Sequence, residues 1–424
     1  MFCRRKVFPR LFPARFTSVL VRSACGVVMA MTAVGNVRAE FAYAWGDNTF
    51  GQLGDGTTTS RSSPGAVGGN LANGVTSIAN GATWSLAILN GGVYAWGQNN
   101  FGQVGDGTMT DRNTPLALTG ALSSGVTAIA GGDHHSLAIR NGGVYAWGLN
   151  NNGQLGDGTT TNRSTPVALT GPVSSGVTAI AGADRSLALR NGGLYAWGYN
   201  SNGQLGDGTR ISRSTPFALT GAMSSGVTAI AAGSATTLAL RNGGIYAWGY
   251  NGDGELGVAP SADRLTPLAL TGPLSSGVTS IAFGAFHGLA VRNGGVYAWG
   301  YNLDGELGDG TMLEHATPEQ IDPINLTNIV AVAAGTFSSY ALSADGSLWT
   351  WGYNVGGELG LGTTGAPYLT PQHLLAPSGY AFTSIQASIS DNSHAVATLA
   401  AVPEPASLGL LAICGTLLVR RRKI

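Results

Sequence analysis

The chain has 424 residues, of which charged types make up only 10%, and its formal charge is zero because 22 basic residues balance 22 acidic ones. The balance is regional: seven basic residues lie in 1–39 and four in 420–423, which leaves 11 arginines, no lysine and all 22 acids between them. An acidic body without lysine argues against nucleic acid as a partner. A body without cysteine, with Cys3, Cys25 and Cys414 all near the ends, excludes a disulfide-stapled fold.

The chain opens like a secretory signal peptide, 1–39. Arg4, Arg5, Lys6, Arg10, Arg15 and Arg22 form a basic start, and Ala24 to Val34 is an apolar run. Val37-Arg38-Ala39 then offers small residues at the −3 and −1 positions of a cleavage site before Glu40. The apolar run is too short to span about 30 Å of hydrocarbon. Export, with signal peptidase as the first processing partner, is the expectation.

From Phe41 to about Ala400 the chain repeats one pattern. A Trp-Gly step recurs at Trp45, Trp96, Trp147, Trp197, Trp248, Trp299 and Trp351, at intervals of 50 to 52 residues. A fixed period of that size marks a repeat architecture whose units share a core. In the third copy, Tyr145-Ala146-Trp147-Gly148 reads as a strand and Asn150 to Gly158 as a Gly-rich loop. An extended segment then runs from Arg163 to Leu169. Val177 to Ala181 alternates as a strand. Gly182 to Arg185 reads as a tight turn, and Ser186 to Arg190 as the next strand. Asn191-Gly192 is a hairpin turn of positive φ. Four short antiparallel strands per 50-odd residues, repeated radially, predict an all-β, seven-bladed β-propeller over 40–400. The body begins with a Trp-Gly strand and ends without one. Pairing of N-terminal with C-terminal strands would therefore close the ring and remove its edges.

Segment 401–424 has three parts: Pro403-Glu404-Pro405, an apolar run over 406–419, and Arg420-Arg421-Arg422-Lys423. The run is short for a stable bilayer span, and the basic end is a stop signal of the positive-inside kind.

Two resemblances follow. Trp-Gly-x-Asn-x-x-Gly-Gln-Leu-Gly stands at 45–54, 147–156 and 197–206, with Val104 for Leu in the second copy and Glu255, Glu306 and Glu358 for Gln in the last three. It resembles the hallmark of the regulator of chromosome condensation repeat family, whose members are seven-bladed propellers. The founding member acts on a nuclear GTPase and chromatin, which an exported acidic protein does not meet. The tail resembles a PEP-CTERM sorting signal. That resemblance implies an inner-membrane intermediate, cleavage by an exosortase, and a final place at the cell surface or in the extracellular matrix of a Gram-negative bacterium.

No residues make a catalytic set. Asp133-His134-His135 is the densest polar cluster. It lacks a second His or Cys in phase for a metal and a nucleophile–base–orienter arrangement for chemistry. Position 135 aligns with Trp84, Arg185, Thr236, His287 and Ser338, and reads as a tolerant turn position. The Asp-Gly-Thr acids Asp55, Asp106, Asp157, Asp207 and Asp309 fall on separate blades, where a calcium site needs six or more oxygens at one point; they read as turn residues. No cofactor or metal is expected. The expected function is an exported, monomeric, non-catalytic binding scaffold for a protein or exopolysaccharide. A secreted inhibitor, as one β-lactamase inhibitor of this repeat family is, and an enzyme with a central-channel site are the alternatives. The candidate binding residues are the variable aromatics on one face: Trp84, His134, Phe286 and Phe337 in one set of turns, and Phe50, Phe101, Tyr199, Tyr250, Tyr301 and Tyr353 in the loops after Trp-Gly. Aromatics dominate binding hot spots.

Overall fold

A computed structural model describes residues 40–389 and 393–402. The segment read as a signal peptide, and the sorting residues Pro403, Glu404, Pro405, Arg420, Arg421 and Arg422, lie outside the described residues. The described chain forms seven four-stranded antiparallel sheets, each one blade of a propeller.

Blade 1 sets the pattern. Its inner strand is Val75–Asn80, followed outward by Trp84–Leu89, Gly92–Gly97 and Arg112–Ala117. Blades 2 to 6 repeat it over 126–168, 177–218, 227–269, 278–321 and 329–374. The closing blade takes its two inner strands, Tyr380–Ala387 and His394–Ala401, from the C-terminal side, and its two outer strands, Glu40–Gly46 and Arg61–Ala66, from the N-terminal side. Glu40 stands opposite Ala400 and Gly46 opposite His394. Each inner strand touches the next, and that of the closing blade touches those of blades 6 and 1. The predicted closure is therefore present, and it is a two-plus-two splice.

Local chemistry explains the turns. Between second and third strands, Asn90, Asn141, Asn191, Asn242 and Asn293 sit at φ between 51° and 53°, and the following Gly at φ between 74° and 77°. Both central residues of such a turn need positive φ, which this pair adopts at little cost. The link from each outer strand to the next inner strand runs outside the sheet. In five blades it contains a short 3-10 turn, such as Gly120–Ser123, which buries Leu71, Leu122, Val173, Met223 or Leu274 between blades. The strands alternate in direction, so these links and the Asn-Gly hairpins share one side of the disc, the hairpin face. The inner-to-second turns and the long loops after Trp-Gly share the other, the loop face.

Deleting Glu40–Gly46 removes the only sheet partner that Arg61–Ala66 has among the described residues and exposes the edge of His394–Ala401. The deletion is expected to lower stability by several kcal/mol, the scale of a broken cooperative unit rather than a surface change. Thermal unfolding of the variant checks this, and an unchanged melting temperature contradicts the splice.

Candidate functional site

The loop after Trp-Gly is a rigid device. In the closing blade, Asn48 Oδ1 accepts from the Leu53 amide at 2.9 Å while its Nδ2 donates across the loop to the Thr57 and Thr59 carbonyls. Gln52 Oε1 accepts from the Phe50 amide. Gly54 has φ of 68°, and a Cβ there would stand 2.6 Å from Trp96 Nε1 of the next blade. The hallmark spacing thus pins a loop with Asn, steers it with Gln, and lets an indole in over Gly.

The Gln or Glu carbonyl of each loop then accepts from the next blade's Trp Nε1, at 2.7–2.9 Å, at all seven interfaces. The ring-closing bond joins Trp45 to Glu358. Five of these carbonyls also accept a hydroxyl from the second strand of the next blade: Ser85, Ser136, Ser186, Thr237 and Ser339. At Glu358 the second donor is Tyr340 Oη.

Position 135 and its equivalents are not turn residues, contrary to the expectation above. They open the second strands and are fully buried. Each long one reaches that same hydroxyl in the next blade: Trp84 Nε1 donates to Ser136 at 3.0 Å and Arg185 Nε to Thr237 at 3.0 Å. His135, His287 and His394 reach Ser186, Ser339 and Ser85 through Nε2 at 2.7, 2.9 and 2.8 Å. These Ser–His pairs are not catalytic dyads. Each hydroxyl already donates to a carbonyl, so its oxygen accepts from His Nε2–H, and burial favours the neutral ring. Burial pushes His135 and His287 down to about 3 and His394 to about 4.

The Asp133-His134-His135 cluster accordingly diverges. His135 enters the interface, and His134 packs on Phe101 at 5.1 Å and on Trp84 at 6.4 Å. Asp133 lies toward Asp184 and Arg185. Burial and the Asp184 charge raise its carboxyl above the usual range, with Arg185 opposing. Among the described residues, no three His, Cys, Asp or Glu side chains are placed to hold a metal ion.

Of the ten candidate binding aromatics, Trp84 is withdrawn. It is fully buried, and its Nε1 is committed to Ser136. The other nine are half-buried on the loop face. Phe286, Tyr301, Phe337 and Tyr353 form one patch across blades 5 and 6, with ring centroids 5.9–6.2 Å apart in a chain of contacts. Phe101 and His134 form a smaller pair on blades 1 and 2. Phe50, Tyr199 and Tyr250 stand outside both, and Tyr250 folds back over Gly252.

Carboxylates border the larger patch, a feature that aromatic patterning did not reveal. Burial raises the Tyr301 phenol, and the charges of Glu306, Asp304, Glu314 and Asp253 raise it further. Glu306 and Glu255 are fully buried beneath the loops, each with Oε2 accepting from the amide two residues earlier and Oε1 without a partner. In other blades the corresponding Gln amide finds Asn100 or Asn151 three residues back. Gly252 and Leu303 stand at that place here and offer no side-chain acceptor.

The Asp-Gly-Thr acids are turn residues, as expected. Asp55 Oδ1 accepts from the Thr57 amide and hydroxyl. Four of them also bind the arginine six residues on, Asp55 Arg61, Asp106 Arg112, Asp157 Arg163 and Asp207 Arg213, and Asp309 meets the His315 ring at the same offset. Burial alone would raise Asp106, but Thr108 and Arg112 outweigh it and hold it below the usual range.

The regulator of chromosome condensation (RCC1) repeat is recognised seven times, at residues 41–88, 90–139, 141–189, 191–240, 242–291, 293–342 and 345–396. This chain belongs to the RCC1-repeat family. It is 31% identical over 338 residues to the ultraviolet-B receptor UVR8 of Arabidopsis thaliana, a match over 78% of this chain and 66% of that one. It is 28% identical to the E3 ubiquitin-protein ligase HERC2 of Homo sapiens over 77% of this chain but only 6% of that protein. Human WBSCR16 shares the fold at TM-score 0.75 and 24% identity, covering 86% of this chain and 99% of that one. Prp20p from Saccharomyces cerevisiae shares it at 0.77 and 22%, covering 90% and 96%. A PEP-CTERM protein-sorting motif occupies 401–423 and marks an exported protein sorted through the membrane.

In this RCC1-repeat propeller the Glu-for-Gln exchanges carry a pH signature. Burial raises Glu255 from 4.5 to about 7 and Glu306 from 4.5 to about 8. A folded-state pKa above the unfolded one means the fold prefers the protonated form. The stability linked to it is full below pH 4.5 and is lost as pH rises through 7 to 8. The double variant Glu255→Gln with Glu306→Gln is expected to be more stable than wild type at alkaline pH by about 1–3 kcal/mol. The gap should close on acidification to the unfolded-state value. Denaturant unfolding across pH measures it, and a pH-independent gap contradicts the assignment.

Proposed function

We propose that the chain is an exported, non-catalytic binding scaffold that presents its loop face to a protein or exopolysaccharide partner in the envelope or extracellular matrix of a Gram-negative bacterium. The observation that carries this reading is the patch of Phe286, Tyr301, Phe337 and Tyr353, four half-exposed rings from two adjacent blades. Rings held by a stiff scaffold give contact area at low entropic cost, which suits a binding hot spot. Protein binding in relatives supports it: the Prp20p structure is described with its binding to Gsp1p and histones, and a second with Kap60 bound. In this reading signal peptidase removes 1–39, an exosortase acts at the tail, and the propeller works as a monomer.

The test is a pull-down from the native matrix with paired variants. Phe286→Ala with Phe337→Ala is expected to lose the partner by tenfold or more on the order of two hot-spot truncations. Arg190→Ala with Arg241→Ala, on the hairpin face, is expected to keep it. If both pairs fold and only the arginine pair loses the partner, the loop face is the wrong one.

A further inference from the structure

The hairpin face has chemistry of its own, independent of any loop-face partner. Both chain ends leave from it. Glu40 and Ala400 are paired there, at the place where other blades carry their Asn-Gly hairpin, and Val402 donates its amide to Gly379 as the chain departs toward the sorting motif. The sorting motif therefore begins at this face.

Three features suit a membrane as the neighbour of this face. First, Arg140, Arg190, Arg241 and Arg292 close the second strands of blades 2, 3, 4 and 5 on this face. Each is half-buried, with Nε donating to a backbone carbonyl of the link that leads into its blade: Ser124, Ser175, Ser225 and Ser276. The Nη groups make no ion pair among the described residues. The guanidiniums are thus fixed in direction while their charge stays unspent. Second, in a seven-blade ring, blades 2 to 5 are centred directly across from the closing blade, where the tail leaves. Tail and arginine arc are opposite points of support for a disc. Third, Ile324 and Leu375 are 85% and 73% exposed, the most exposed large apolar side chains of the described chain. Both lie in hairpin-face links, on either side of blade 6 and toward the tail exit. Among the described residues, acids on this face are Glu40 beside the exit and Asp322 and Asp345, whose carboxylates are tied to Asn325 and Ser347.

We infer that the hairpin face docks flat on an anionic membrane surface, with Arg140, Arg190, Arg241 and Arg292 against lipid phosphates and Ile324 and Leu375 in the interfacial layer. A short apolar tail is a weak anchor by itself, and stable attachment takes a second signal, which a basic surface supplies. Each cation near an anionic leaflet adds about fivefold in partitioning. The arc would orient the propeller with its loop face away from the membrane, open to partners.

The experiment is vesicle flotation of the full-length protein with phosphatidylcholine alone and with phosphatidylcholine mixed with phosphatidylglycerol, at low and high salt. Wild type is expected to partition more strongly into the phosphatidylglycerol vesicles, and high salt should remove the excess. Arg140→Gln, Arg190→Gln, Arg241→Gln and Arg292→Gln together should remove the larger part of that excess, leaving the share carried by the basic ends 1–39 and 420–423 and the tail-driven binding to neutral vesicles intact. Lysine at the four positions loses the Nε–carbonyl geometry but keeps the charge, so it should restore most of the excess. Equal partitioning of wild type and the glutamine variant into anionic vesicles overturns the proposal. So does a lysine variant that melts like wild type yet fails like glutamine. Arginine-dependent binding of soluble alginate without arginine-dependent vesicle binding would assign the face to an anionic polymer instead.

Discussion

One contact recurs at every joint of this molecule: an indole N–H of one blade donates to the Gln or Glu carbonyl of the blade before it. Each indole is fully buried, and a buried donor left without an acceptor costs about 1–3 kcal/mol. No blade can satisfy its own Trp. Each depends on its neighbour's loop, and that loop depends on its Asn and on the Gly over which the ring lies. The constraint is circular, and it explains why the first strands of the chain must return to the last.

A second rule follows from the same joint. The residue opening each second strand matches the residue two places into the facing strand of the next blade. Trp84 meets Ser136, His135 meets Ser186, Arg185 meets Thr237, His287 meets Ser339 and His394 meets Ser85. Where the next blade offers Gly288 or Ala395, the reaching residue shrinks to Thr236 or Ser338. Trp, His and Arg thus serve one task, delivering an N–H to a hydroxyl across a blade interface. Variation at this position is steric and polar matching, where tolerance was the natural reading of the aligned letters.

The repeat period, the strand count and the closure were legible because each follows from a short-range pattern: apolar alternation, Asn-Gly turns, and a Trp-Gly strand missing at one end. The interblade partners were harder to read, since Ser85 and His394 are 309 residues apart and no local pattern joins them. The aromatic positions illustrate both cases. Comparing repeats put both Trp84 and Phe286 beside the inner-to-second turn, yet the two differ by one residue in phase. That single step sends Trp84 into the interface and Phe286 to the surface. The carboxylates around the patch were visible as letters, Asp253, Asp304, Glu306 and Glu314. Their convergence on Tyr301 depends on how two neighbouring loops pack.

The two faces divide the work: rigid aromatics on one, chain ends and fixed cations on the other. That division holds only if the ring behaves as one closed unit. Native-state hydrogen exchange on the full-length protein tests this most directly. A closed ring predicts that amides of Glu40–Gly46 and His394–Ala401 open with the same free energy as those of Arg185–Arg190 and Gly193–Gly198 in blade 3, since no blade is terminal. Protection that instead declines from blade 3 toward the closing blade, as in an array fraying from its ends, would contradict the account.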